Sequence, residues 1–285
     1  MSRFLDNTRS AQKAVLGETT VTSPNPEQWM EILRKPRILN SDAAESRFVR
    51  CRRTRLTTPP DLPSLDNSHG GSAGAMESYR ALRTRLMRAQ VARGLRTLIF
   101  SSALSKEGKT LTTLNLAQAY VALKGQRVLV IDGDLRTRAM SKFFVPSSGP
   151  GISDAVVGDA DFADVILATD KPNLFFVSAG SDVAPPELYA SQRWKEFLVW
   201  CAECFGVILI DAPPIFPLSD FELMSAACDG IVLVVRAQRT KRDLLQKAAA
   251  QVDSKKLLGI VYNATESDIE NSEYGKAYLF NESHA

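Results

Sequence analysis

The sequence predicts an α/β fold built on a doubly wound, mostly parallel sheet flanked by helices, preceded by a largely disordered N-terminal extension. Two observations carry the prediction. Beyond residue 75, six runs ("TLIFSSA", "RVLVIDGD", "NLFFVSA", "GVILIDA", "GIVLVVRA" and "LLGIVYN") are apolar throughout rather than alternating, which is the pattern of strands covered on both faces. Helical stretches separate them, as crossover helices separate the strands of a parallel sheet. Before residue 75 there is one helical candidate, "PEQWMEILRK" at 26–35, and then a linker, "TTPPDLPSLDNSHGGSAGA". The prolines, glycines and small polar residues of that linker disfavour regular structure. The expected organisation is an extension at 1–75, an α/β body at 76–265 and a tail at 266–285.

Composition narrows the function classes. With 285 residues, 45% of them hydrophobic, the chain has enough apolar material for a large core. The net charge of +3 is unevenly placed: residues 1–75 hold 11 Lys/Arg against 8 Asp/Glu, and the rest balances 24 against 24. The zero net charge of the body argues against a nucleic-acid-binding role, since contacts to phosphates need clustered cations, so no nucleic acid is expected as a partner. The segment "RFVRCRRTR" packs five arginines into nine residues and is read as a solvated basic tail, with anionic lipid or acidic protein as the other reading. No run approaches the ~18 apolar residues of a membrane span, and "MSRFLDNTRSAQKAVLGETT" lacks a secretory signal. A cytoplasmic location is expected, and four cysteines suggest no disulfide framework.

The elements follow in order. A helix from residue 76, "ESYRALRTRL", places Glu77, Arg80 and Arg83 along one flank, with Tyr79, Leu82 and Leu86 toward the body. After the first strand, "ALSKEGKT" reproduces a P-loop, Gly108-Lys109-Thr110 at a helix start, with Ala103 in place of the first glycine. Backbone N–H groups over Ser105, Lys106, Glu107, Gly108, Lys109, Thr110 and Leu111 would cradle phosphate oxygens. Lysine supplies charge, and the threonine hydroxyl ligates Mg²⁺. The next strand ends in Asp132 and Asp134, and "VILIDAPP" ends in Asp211; such carboxylates beside a P-loop hold Mg²⁺ or position a nucleophile. In "CAEC", Cys201 and Cys204 recur with Trp194 and Leu198 at helical intervals and are read as core. The last strand ends at Asn263.

These residues resemble the bacterial tyrosine kinases of capsule and exopolysaccharide synthesis, whose cytoplasmic domain derives from partitioning-type P-loop ATPases. The resemblance covers roughly 76–265: "ESYRALRTRL" is similar to the oligomerisation helix, "VLVIDGDLR" to the Walker A′ motif and "VILIDAPP" to the Walker B motif. It implies ATP and Mg²⁺ as cofactors, with Lys109 and Thr110 on phosphates and metal, Asp132 near the phosphate acceptor, and Asp134 and Asp211 serving the metal. It also implies Asn263 at the adenine, a homo-oligomer formed through Glu77, Arg80 and Arg83, and Tyr274 and Tyr278 as phospho-acceptors delivered to a neighbour. Partners implied are a membrane-embedded polysaccharide chain-length regulator that recruits the chain to the inner face of the membrane, and a tyrosine phosphatase. The sequence departs from the family in three places: Ser105 and Lys106 stand where it has Pro-Gly, "DLRTRAM" lacks a proline, and the tail holds two tyrosines. An ATP-gated scaffold is the alternative function. A partitioning ATPase ranks last, because Leu104 stands where its signature lysine belongs.

Overall fold

The computed structural model describes residues 51–57, 73–123, 125–146, 148–180, 186–216 and 220–264. The helical candidate at 26–35, most of the linker and the tail lie outside the described residues. All six apolar runs form strands: β3 (Thr97–Ser102), β4 (Val128–Asp132), β7 (Leu174–Val177), β8 (Val207–Asp211), β9 (Gly230–Arg236) and β10 (Leu257–Asn263). They are joined by four short strands, β1 (Arg52–Arg53), β2 (Arg55–Leu56), β5 (Phe144–Val145) and β6 (Leu167–Ala168). The main sheet runs β1-β6-β7-β4-β8-β3-β9-β10, and β2 and β5 make a separate antiparallel pair. The strands from β7 to β10 are mutually parallel, and β6 is antiparallel to β7.

Period two within the strands divides the core into two layers. Ile99, Leu129, Ile131, Ile208, Ile210 and Leu233 share one cluster with α3 (Ile152–Val157), α4 (Gln192–Cys204), α5 (Asp220–Ala226) and α6 (Arg242–Ala250). Cys201 and Cys204 lie buried in that cluster, as their helical spacing predicts. Helix α4 starts at Ser191, whose Oγ accepts the Trp194 N–H at 3.2 Å, a side-chain N-cap. Helix α2 (Lys109–Val121) lies against β3, β4, β7, β8 and β9, and α1 (Ala73–Arg93) packs on α2. From Thr112 to Tyr120 every α2 residue is buried, which is why "TTLNLAQAY" has no charge and mostly small or apolar side chains.

Residues 51–57 belong to this body, although the sequence places them in the extension. β1 adds parallel to β6, with Arg52 opposite Leu167. The Arg52 guanidinium donates to Ser148 O (2.7 Å), Pro150 O (3.0 Å) and Asp164 O (3.3 Å). Leu56 N–H donates to Asp170 Oδ1 at 3.0 Å. The solvated-tail reading of "RFVRCRRTR" is therefore corrected at Arg52, which fastens a sheet edge, while Arg53 and Arg55 stay exposed. Among the described residues no helix is long and apolar enough to cross a membrane.

Candidate functional site

The loop between β3 and α2 sits at the carboxyl ends of the parallel strands, where such sheets place ligands. Gly108 precedes α2 at φ 94°, ψ 16°, in the left-handed region where glycine is unstrained. A Cβ there would fall 1.7 Å from Asn263 Nδ2, so the last strand and the loop occupy complementary space. Lys106 is also left-handed, at φ 65°. Helix α2 has no side-chain cap, so its first amides, from Lys109 onward, point into the loop as anion donors.

Two side chains at the start of α2 reach the acidic strand ends. Lys109 Nζ lies 3.4 Å from Asp134 Oδ2, with the side chains 9% and 1% exposed. Thr110 Oγ1 donates to Asp211 Oδ2 at 2.7 Å. Asp132 and Asp211 are register partners on β4 and β8. Asp132 Oδ2 accepts both the N–H and the Oγ–H of Ser141, each at 2.7 Å, and Asp134 Oδ1 accepts Thr137 N–H at 3.0 Å. Burial pushes the Asp132 carboxyl up to about 6 against the lowering bonds from Ser141. Burial likewise raises Asp211 to about 7, with Lys109 pulling the other way. Asp132 Oδ1 and Asp211 Oδ1 are buried without a hydrogen-bond partner among the described residues. Three carboxylates thus face one ammonium with two hard oxygens orphaned; among the described residues no three such side chains are grouped to hold a metal ion by themselves, so a divalent cation here would take part of its shell from phosphate oxygens.

The rest of the loop is held from outside. Glu107, 4% exposed, accepts Leu104 N–H on Oε2 at 3.0 Å and the Thr240 hydroxyl on Oε1. Asn263 Nδ2 donates to Glu107 O at 3.0 Å. The Asn263 side chain thus engages the loop itself. Ser105 and Lys106 are exposed at the loop's outer edge, and Leu111 is half-buried one residue beyond Thr110. Tyr189 OH donates to Gly133 O at 2.8 Å, supporting the corner between Asp132 and Asp134. Thr240 and Tyr189 act across 133 and 56 residues and Ser141 across nine, so the side-chain roles of these three, which the sequence did not single out, appear only in the fold.

The three flank residues of α1 do not behave alike. Glu77 and Arg80 form an exposed ion pair at 3.4 Å. Arg83 turns inward, half-buried, and its Nη1 donates to Ala119 O at 2.6 Å. Tyr274 and Tyr278 lie outside the described residues.

The chain matches the CobQ/CobB/MinD/ParA nucleotide binding domain over residues 98–278. It is 32% identical over 204 residues to the tyrosine-protein kinase CpsD of Streptococcus agalactiae, covering 70% of this chain and 88% of that one. It is 30% identical over 202 residues to the tyrosine-protein kinase YwqD of Bacillus subtilis, covering 70% and 84%. Among solved structures, the BceF tyrosine kinase domain superposes with a TM-score of 0.63 at 25% identity, over 84% of this chain and 90% of that one.

Proposed function

The chain belongs to the CobQ/CobB/MinD/ParA nucleotide-binding family and, within it, to the bacterial tyrosine kinases; from that premise we propose that it transfers phosphate from ATP to its own Tyr274 and Tyr278. The observation that carries this reading is the convergence of Lys109, Thr110, Asp132, Asp134 and Asp211 at one end of the sheet. When bound, ATP supplies the phosphoryl group and Mg²⁺ offsets the charge of its phosphates; Thr110, Asp134 and Asp211 would hold the ion. The amides of the 105–111 loop would receive the phosphates, and Lys109 would exchange Asp134 for a phosphate oxygen. A tyrosine oxygen forms its bond to the γ-phosphorus as the bond to the bridging oxygen breaks and ADP leaves. The phenolic proton passes to the Asp132 carboxylate, whose raised pKa suits it to accept a proton near neutrality.

The partners follow the same reading. A membrane-embedded chain-length regulator of polysaccharide assembly would recruit the chain to the inner face of the membrane, and a tyrosine phosphatase would reverse the modification. The product would be control of exopolysaccharide or capsule polymerisation and export. The test is to incubate purified protein with ATP and Mg²⁺, with and without the regulator's cytoplasmic segment, and map phosphates by mass spectrometry beside Lys109→Ala. Phosphate at Tyr274 or Tyr278 in the parent and none in Lys109→Ala is expected. Intact ATP binding without phosphotyrosine in either condition would leave an ATP-gated scaffold as the function.

A further inference from the structure

The chain leaves its last strand across a cationic surface. Asn263 on β10 stands opposite Arg236 on β9, and Ala237 N–H donates to Asn263 O at 2.8 Å. From Arg236 to Arg242 the turn into α6 reads "RAQRTKR", four cations and no acid. Arg236, Arg239 and Lys241 are exposed and enter no ion pair among the described residues. Thr240 in the same turn bonds Glu107, so the turn borders the phosphate loop, where Lys106 adds a further exposed cation. The stability of α6 does not account for this charge. Lys241 is its N-cap and Arg242 its first residue, where the helix dipole disfavours cations; Asp243 is the one acid in its first turn.

The sequence that follows Ala264 has the opposite sign. "TESDIENSE", residues 265–273, holds Glu266, Asp268, Glu270 and Glu273 and no cation before Tyr274. We propose that this acidic stretch docks on the basic turn of its own molecule, along Arg236, Arg239 and Lys241. Glu266 lies two positions beyond Ala264, a span of at most ~7 Å, so the first carboxylate starts within reach of the turn. The short tether gives the turn an effective concentration of carboxylates of roughly millimolar order, which no second copy in dilute solution matches. Single exposed ion pairs contribute little, so the docking needs several acting together and weakens with salt. The contact itself requires no phosphoryl transfer. Its consequence rests on the proposed kinase reading: a docked tail keeps Tyr274 against its own body, and delivery to a neighbouring copy competes with that hold.

Carbodiimide coupling, which joins a lysine ammonium to a carboxylate, tests the contact on the full chain. Equal amounts of unlabelled and isotope-labelled protein are mixed, coupled without nucleotide at low and at high salt, and mapped by mass spectrometry. Lys241 or Lys106 joined to Glu266, Asp268, Glu270 or Glu273 within one isotope is expected, with a several-fold loss of yield at high salt and in Arg236→Gln/Arg239→Gln. Absence of these couplings at low salt would overturn the proposal, as would couplings between isotopes in random proportion, which would make a second copy the occupant. Calorimetric titration of the same samples with a non-hydrolysable ATP analogue separates the two readings. Nucleotide binding without coupling removes the docking alone, and coupling without nucleotide binding removes the phosphate site alone.

Discussion

Lys106 is held in the left-handed region at φ 65° within a loop whose ends are pinned, by the Leu104 and Thr240 bonds to Glu107 on one side and by Asn263 on the other. A non-glycine residue there costs about 1–2 kcal/mol, whereas glycine removes that strain at an entropic cost of about 0.5–1 kcal/mol. Lys106→Gly is therefore expected to stabilise the fold by no more than about 1.5 kcal/mol, read as a raised urea midpoint at unchanged denaturant slope. A lowered midpoint with an unchanged denaturant slope would show that the lysine side chain makes contacts outweighing its backbone strain. The same scale explains why Gly133 is small: a Cβ there would meet Met224 Cε at 2.3 Å and Asp211 O at 3.1 Å. The corner carrying Asp132 and Asp134 can then approach β8 closely enough for Gly133 N–H to donate to Asp211 O at 2.9 Å.

Helix α1 shows how an element redistributes roles that a motif assigns together. The carbonyl of Ala119 lies in the last turn of α2, where intrahelical donors run out; Leu123 N–H bonds Tyr120 O instead. Arg83 supplies the missing donor, and its positive charge suits the negative end of α2. Burial lowers the Arg83 pKa from its ordinary value, yet the guanidinium stays charged. Arg83→Ala is expected to cost about 1.5–3 kcal/mol, the range for a hydrogen bond to a charged group. Arg80→Ala should cost less than about 0.5 kcal/mol, because its pair with Glu77 is solvated. Equilibrium unfolding of the two variants side by side checks the ranking, and equal losses would contradict the inward role of Arg83.

At the scale of the whole molecule that difference decides how assembly should be probed. Arg80 and Arg83 border a groove of about 500 Å³ that also takes in Met76, Gln118, Lys171 and Pro172. If assembly runs through this flank, as the family resemblance implies, Arg80→Ala should lower the mass seen in light scattering while the unfolding midpoint stays in place. A parent protein that is strictly monomeric would end that expectation, and loss of mass only in Arg83→Ala would point to damage at α2 instead.

The sequence alone determined the parallel sheet and the phosphate loop. Its six long strands are largely apolar because helices cover both faces of the inner ones, although β10 at the sheet edge leaves Ile260 and Tyr262 exposed, and Gly108-Lys109-Thr110, Asp132, Asp134 and Asp211 sit at element ends that such runs mark. Those signals are local, carried by a few adjacent residues. Tertiary structure decided what depends on partners distant in the chain. β1, β2, β5 and β6 are two residues long and have no period to read; Arg52 becomes an edge fastening only where Leu167 comes beside it. Glu107 acquires Thr240 across 133 residues and Asn263 reaches the loop across 156. Arg83 caps α2 only because α1 packs on it. In each case a buried polar group must find a donor or acceptor, and the fold, rather than the neighbouring sequence, sets which one lies within reach.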